Sequence, residues 1–428
     1  MPSLAAPSSR RLASRIALSL LSLGALACGP GIFDEPSLFD SAAESASAGD
    51  LAGARAKLAW LPETGAPRPD ALLLQACIAL EAGNFHEAEE SSHALRALLP
   101  ESAEPRVLEA LISERRARPE LPWSESYARA WNAAGRPDLR GSSLLPREKT
   151  QAPTLDIDRL WSADLAPETR LAIVIAGRAN AEQLRSELDR LPVLPPALAI
   201  AVHQRLTGPT APEDLRLKST AVFRERLPAL IASAPDAMDV RLVAMLDEAG
   251  PTEPFSDEDL SRLEEIAALP EWRTTDFAES HARLREHLEA AGVARASGWA
   301  FTGAVDGIAT DAHYRLQQRA KASVARMTDS QRRRLGRALG RIGSRMAEES
   351  TILEVFLGSF LMKKGAELEG DAARVRELAA AREQVYLVFD EWQGAAIGSW
   401  PLYSLQEAVL EANVRNELNH IRLYAPAP

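Results

Sequence analysis

The sequence predicts an all-α fold: helical repeats first, then an irregular α-superhelical middle, then a C-terminal helical bundle. Three observations carry this. Alanine, leucine, arginine and glutamate are abundant in the 428 residues and aromatics make up only 5%. That mix favours helix, because straight-chain residues and alanine lose little freedom there. Six residue pairs recur at a separation of 34, the length of two short helices with their turns. Near the C-terminus apolar residues recur at i, i+4, i+7 and i+11. Roughly 150 residues per domain allows two or three domains.

The chain opens on "MPSLAAPSSRRLASRIALSLLSLGALA", residues 1–27. Arg10, Arg11 and Arg15 precede an apolar stretch, and no acid occurs before Asp34. The stretch is about a dozen residues long, too short to cross a bilayer, which takes ~20. A charged start, a short apolar middle and small residues at the end read as an export signal peptide. The next residue is Cys28, one of two cysteines. Residues 25–28, Ala-Leu-Ala-Cys, resemble the bacterial lipoprotein lipobox. The Ala27-Cys28 pair matches; Ala25 stands where a larger aliphatic residue is usual, and Leu26 where a small one is. The resemblance implies cleavage before Cys28 and a diacylglyceryl group on its sulfur, two acyl chains being enough for stable anchoring. It places the mature protein on the cell envelope, at the periplasmic face of the outer membrane, with residues 28–37 as a tether. Secretion without a lipid is the alternative. Residues 8–14 also resemble a twin-arginine export signal, but Ala13 and Ser14 stand where bulky apolar residues belong.

Residues 38–135 carry the repeat. Leu38 faces Leu72, Ala42 faces Ala76, Ala48 faces Ala82, Gly49 faces Gly83, Ala54 faces Ala88 and Leu61 faces Leu95. Small residues belong where two helices cross closely, hence Ala42 with Ala54 and Ala76 with Ala88. Gly49 and Gly83 fall where the first helix of each pair must stop, in a left-handed conformation that suits glycine. Pro100 ends the second pair. Residues 71–100, with Ala76, Gly83, Phe85, Ala88 and Pro100 at family-like spacings, resemble a tetratricopeptide repeat unit; Leu72 replaces the large aromatic near its start. A third unit begins at Ala110 and decays, with Ala117 and Pro122 where a glycine and an alanine belong. Three or more units are usually needed to bury a continuous face, so the array must lean on something else. Trp123, Tyr127 and Trp131 share one helical stripe and read as the capping face. Cys77 reads as a small buried hydrophobe.

Residues 136–156 are rich in proline, glycine and serine and read as a linker. From 157 to 293, short helical patterns are cut at 191–196, 207–214, 249–259 and near Pro270. "RLAIVIAG", residues 170–177, reads as helix, with Asn180 capping the next. Residues 298–424 form the expected bundle. Leu316, Val324 and Met327 share a face. "TDSQ", residues 328–331, is a capping box opening a helix whose apolar stripe is Leu335, Leu339, Ile342 and Met346. Gly336, Gly340 and Gly343 run beside that stripe and permit close helix contact. "TILEVFLGSFLM", residues 351–362, is apolar nearly all round and should be buried. Ser404 with Glu407 is expected to open the last helix.

The formal charge is −11, and loss of residues 1–27 removes three arginines and no acid, leaving −14. Such an acidic chain argues against nucleic acid as a partner. Against that background residues 312–346 hold ten basic residues and one acid, Asp329. Arg332, Arg333, Arg334, Arg337, Arg341 and Arg345 are the candidate binding surface for anionic lipid or polymer; the bland reading pairs them with acids such as Glu348, Glu349 and Glu354.

Catalytic patterns are sparse. The sequence has no Gly-x-Ser-x-Gly elbow, no phosphate loop and no His-Glu-x-x-His. Glu417 with His420, and Glu90 with His93, have a spacing used by di-iron bundles, which need more carboxylates than these. His86, His93, His281 and His287 suggest no ligand set. No catalytic residue, metal or cofactor is assigned. The expected function is a membrane-anchored, non-catalytic adaptor whose repeats hold a protein partner. The alternatives are an enzyme with its site in the bundle and a basic-surface binder of anionic lipid or cell-wall polymer.

Overall fold

The computed structural model describes residues 38–60, 68–146, 160–161, 164–177, 183, 196–207, 212–248, 253–273, 275–308 and 310–425. The expected signal peptide and tether, Cys28, Asn180 and the second half of the expected linker lie outside them. The fold is all-α: among the described residues there are 18 α-helices and no strand. Helices α1 (Leu38–Ser47), α2 (Leu51–Ala59), α3 (Pro69–Glu81), α4 (Phe85–Leu98), α5 (Ala103–Ala117) and α6 (Trp123–Ala133) form the array. The middle contains α7 (Pro167–Gly177), α8 (Pro196–Thr207), α9 (Glu213–Ser233), α10 (Met238–Asp247), α11 (Asp257–Ala267), α12 (Phe277–Ala290) and α13 (Ala296–Asp306). The rest contains α14 (Thr310–Val324), α15 (Asp329–Ala347), α16 (Ile352–Glu369), α17 (Ala372–Gly394) and α18 (Tyr403–Arg422), with a 3-10 turn at Ile397–Ser399. None of the described helices is long and apolar enough to cross a membrane.

The array packs helix on consecutive helix, as a 34-residue spacing requires. Ala42, Ala54, Ala76 and Ala88 are fully buried. Gly49 and Gly83 have φ of +82° and +73°, so the glycines stand where only glycine turns cheaply. Asp50 and Asn84 follow them and cap α2 and α4, accepting from Gly53 N (2.8 Å) and Glu87 N (3.3 Å). Pro100 is exposed just past the end of α4. Cys77 is buried and free.

The array leans on the far end of the chain. Ala395, Ile397, Trp400, Leu402, Leu405 and Tyr424 share one core with Leu73, Leu80, Leu95, Leu108, Tyr127 and Trp131. The Tyr127 hydroxyl donates to Ala395 O (2.6 Å), and Tyr424 packs on Trp131 at 5.8 Å between ring centres. The aromatic stripe of α6 is therefore the array's cap, as its spacing suggests, and its partner is α18. Ser404 does not cap α18, whose N-cap is Leu402 without a side-chain bond. Ser404 N donates instead to Glu81 at the end of α3 (3.0 Å). The first part of the expected linker is packed too: Leu139, Leu144 and Leu145 are buried in this core, and Leu139 N donates to Gly394 O (2.7 Å).

Two large cores hold the middle and its junction with α15. One joins α7, α8, α12 and α13. The other runs from α8–α11 through Leu316 and Met327 to the stripe of α15. Consecutive helices are separated at the expected cuts 207–214, 249–259 and near Pro270, while 191–195 lie outside the described residues and α8 begins at Pro196.

Candidate functional site: a glycine-floored basic groove

The site is built on α15. Thr328 accepts from Gln331 N (3.3 Å) and Gln331 Oε1 accepts from Thr328 N (2.9 Å), the expected capping box. Leu335, Leu339, Ile342 and Met346 are at most 1% exposed and fix the helix to the core. Its glycines meet α16. A Cβ on Gly336 would stand 2.8 Å from Gly365 O, and one on Gly343 would overlap Gly358 O. The two backbones touch, and no side chain fits between them. Gly340 differs, because a Cβ there would meet nothing within 4 Å. It floors an open groove of about 350 Å³ between α15, α16 and the start of α17. Arg337, Arg341 and Ser344 line one wall. Met362, Ala366 and Glu369 of α16, with Arg374 and Leu378 of α17, line the other.

The basic stretch divides into paired and unpaired charges. Arg334 binds Glu264 on α11 (2.7 Å) and holds that carboxyl below its ordinary range, with Arg337 and Arg341 adding to the effect. Arg332 pairs with Asp329 (3.5 Å) and Arg345 with Glu348 (2.9 Å). Arg315 binds Asp247, and buried Arg319 binds Asp259 (2.9 Å). Arg333, Arg337 and Arg341 are exposed, and no carboxylate lies within ion-pair distance of them among the described residues. Of the acids expected to neutralise the stretch, Glu348 takes one arginine, while Glu349 and Glu354 bind Arg273 (3.0 and 3.2 Å).

The remaining candidates are engaged elsewhere. After Asn416, where α18 breaks (φ −166°, ψ 97°), Glu417 accepts from Ile352 N at the start of α16 (2.8 Å). His420 bonds Asn413 (2.5 Å). Burial pushes the Glu354 and Glu417 carboxyls up to about 7, with their mutual repulsion adding to it at Glu417. Glu90 and His93 are exposed. His86 pairs with Glu90 (3.4 Å), and His287 with Glu168 (3.1 Å). His281 faces Ser297 O (3.0 Å). No cluster of potential metal ligands occurs among the described residues. A serine, a histidine and an aspartate do meet: His203 lies 3.4 Å from Ser219 Oγ and 3.0 Å from Asp247. None of the three side chains is more than 6% exposed, and Asp247 is shared with Arg315, so the trio ties α8, α9, α10 and α14 together.

Sequence reasoning found the arginines and the glycines but not the groove between them. Ser344, Glu369 and Arg374 were missed, because only the crossing of α15 and α16 and the turn at Gly370 bring them together. Compared with known proteins, the chain matches no protein-family model and none of the curated proteins.

Proposed function

We propose that the protein is a non-catalytic envelope adaptor, tethered by lipid on Cys28, that binds an anionic ligand in the α15 groove. One observation carries this reading. In a chain of formal charge −11, Arg337 and Arg341 line an open groove without ion-pair partners, and Arg333, one turn before them on the same helix, has none either. Partners for an exposed arginine cost little to provide, and this chain supplies them to Arg332, Arg334 and Arg345 on the same helix. The ligand chemistry is a phosphate-like or carboxylate anion, which the guanidinium fork matches. Binding of anionic probes to the purified protein should weaken steeply with salt and vanish on R333E/R337E/R341E. No response to any anionic probe at low salt would end the reading. Cys28→Ser should release the protein from membranes without unfolding it, and mass spectrometry of the mature N-terminus reads the lipid directly.

A protein partner held by the repeats is the second reading. Trp60, at the end of α2, is 78% exposed, and tryptophan is a common interface anchor. Because residues 395–424 complete the array's core, deleting the repeats would test folding rather than binding. Trp60→Ala is the cleaner probe, and unchanged recovery of a co-purifying protein would count against this reading.

A further inference from the structure

We infer that the ligand of the α15 groove is a linear polyanion, a chain of repeated phosphate-like charges; this rests on the anion-binding reading above and adds the ligand's class. Arg333, Arg337 and Arg341 succeed one another at four-residue intervals. A helix rising 1.5 Å per residue sets them about 6 Å apart along the axis and about 12 Å from first to last. Each step turns the side chain only about 40° around the axis, so the three form a ladder in which Arg337 and Arg341 line the groove and Arg333 extends the row one turn beyond it. Arg332, Arg334 and Arg345 are already neutralised within the fold. What remains is a row of charges, not a pocket around one point. A single phosphate engages one or two guanidinium forks and leaves the rest unused. A chain with repeated charges can meet all three; Arg374, across the groove on α17, is held by Glu377 (2.6 Å) and adds no open charge.

The floor suits a strand. With open space above Gly340, a ligand's backbone can lie against the helix while its charges reach the lip. A bilayer fits less well. Helices that dock on membranes sink an apolar face below the headgroups, and no large apolar side chain of α15 is exposed. A concave floor would also stand off a flat surface.

The test uses the full chain carrying Cys28→Ser. It is titrated with long-chain inorganic polyphosphate, tripolyphosphate, orthophosphate and phosphatidylglycerol vesicles at equal total charge and several salt concentrations. Affinity should rise about tenfold from tripolyphosphate to the long chain as added charges bind in an intramolecular manner, and orthophosphate should not bind. The plot of log affinity against log salt should have a slope of about −2, from three contacts at about 0.7 each. R333Q/R337Q/R341Q should abolish binding. R106Q/R129Q/R285Q, which removes the same charge from exposed sites elsewhere, should leave it intact. Gly340→Leu, which enters open space and changes no charge, should weaken it about tenfold by removing room for a strand and its contacts. Vesicles binding as tightly per charge as the long chain, orthophosphate binding as well as it, or full binding by the ladder variant or Gly340→Leu would overturn the inference. Silence from every anionic probe would instead remove the anion-binding reading beneath it.

Discussion

The repeat array and the α15–α17 segment use small residues at helix crossings for different purposes. In the array, Ala42, Ala54, Ala76 and Ala88 let the helices close, and Trp400, Leu402 and Tyr424 from the far end of the chain fill the face beside them. In α15 and α16, Gly336, Gly343, Gly358 and Gly365 bring two backbones together, while Gly340 leaves a gap that nothing fills. Charge differs in arrangement. Arg55, Arg96, Arg116 and Arg129 of the array each have a carboxylate at 3.4 Å or less and exposed Arg106 stands singly without one, whereas on α15 three arginines in a row along the helix have none among the described residues. The contrast teaches that helical packing alone does not mark a binding surface. What marks it here is a crossing left open and a charge row left unbalanced.

Trp400→Ala should break the closed side most severely. The residue is fully buried against Tyr127, and such truncations cost about 4 kcal/mol. Denaturant unfolding measures the loss, and near-wild-type stability would mean the array does not depend on the C-terminal segment. Gly343→Ala attacks the tight side of the other region. Its Cβ would overlap Gly358 O, and overpacking costs about 3 kcal/mol, read as a fall in melting temperature.

Glu417→Gln sharpens the comparison where the two regions join. The carboxyl binds its proton at about 7 in the fold against 4.5 ordinarily, and folded Glu354 behaves alike. A raised folded value means stability that is fully present below about 4.5 and lost as pH rises through about 7. Glutamine keeps an acceptor for Ile352 N and carries no charge. The variant should therefore gain on wild type between pH 5 and pH 8 by about 2 kcal/mol, allowing for the residue's partial exposure. A difference independent of pH would mean the carboxyl ionises freely. The smallest effect is Gly340→Ala. It faces open space and should stabilise α15 by about 0.5–1 kcal/mol, where the same change at Gly343 destabilises.

Much of the fold is legible in the sequence because its determinants are local. Gly49 and Gly83 with their following caps, the Thr328–Gln331 box and the stripe from Leu335 to Met346 each depend on residues within a few turns of one another. The partner of Trp123, Tyr127 and Trp131 was not legible, since the matching residues lie almost 300 positions away and carry no shared period. Ser404 reads as a helix cap by composition, yet a long-range acceptor, Glu81, outcompetes the local one. Glu417 and His420 have a ligand-like spacing, yet past the break at Asn416 Glu417 turns to Ile352 N and His420 back to Asn413. The arginines of the candidate site were visible as a run. Arg332 and Arg345 take partners three residues away, whereas the pairing of Arg334 depends on where α11 lies, and no local pattern encodes that.

The closure of the array by residues 395–424 also sets an order of events. Contacts such as Tyr127 with Ala395, Tyr424 with Ser124 and Ser404 with Glu81 span 268, 300 and 323 positions. Non-local pairings of this kind are slow to form because a long loop must close first. A nascent chain carries its repeats early but cannot finish their core until residues 395–424 exist. Until then Leu73, Leu80, Tyr127 and Trp131 lack their cover, and the chain remains an incomplete fold that holdase chaperones recognise by exposed apolar surface. Synthesis of residues 395–424 is thus the step that lets the array close its core.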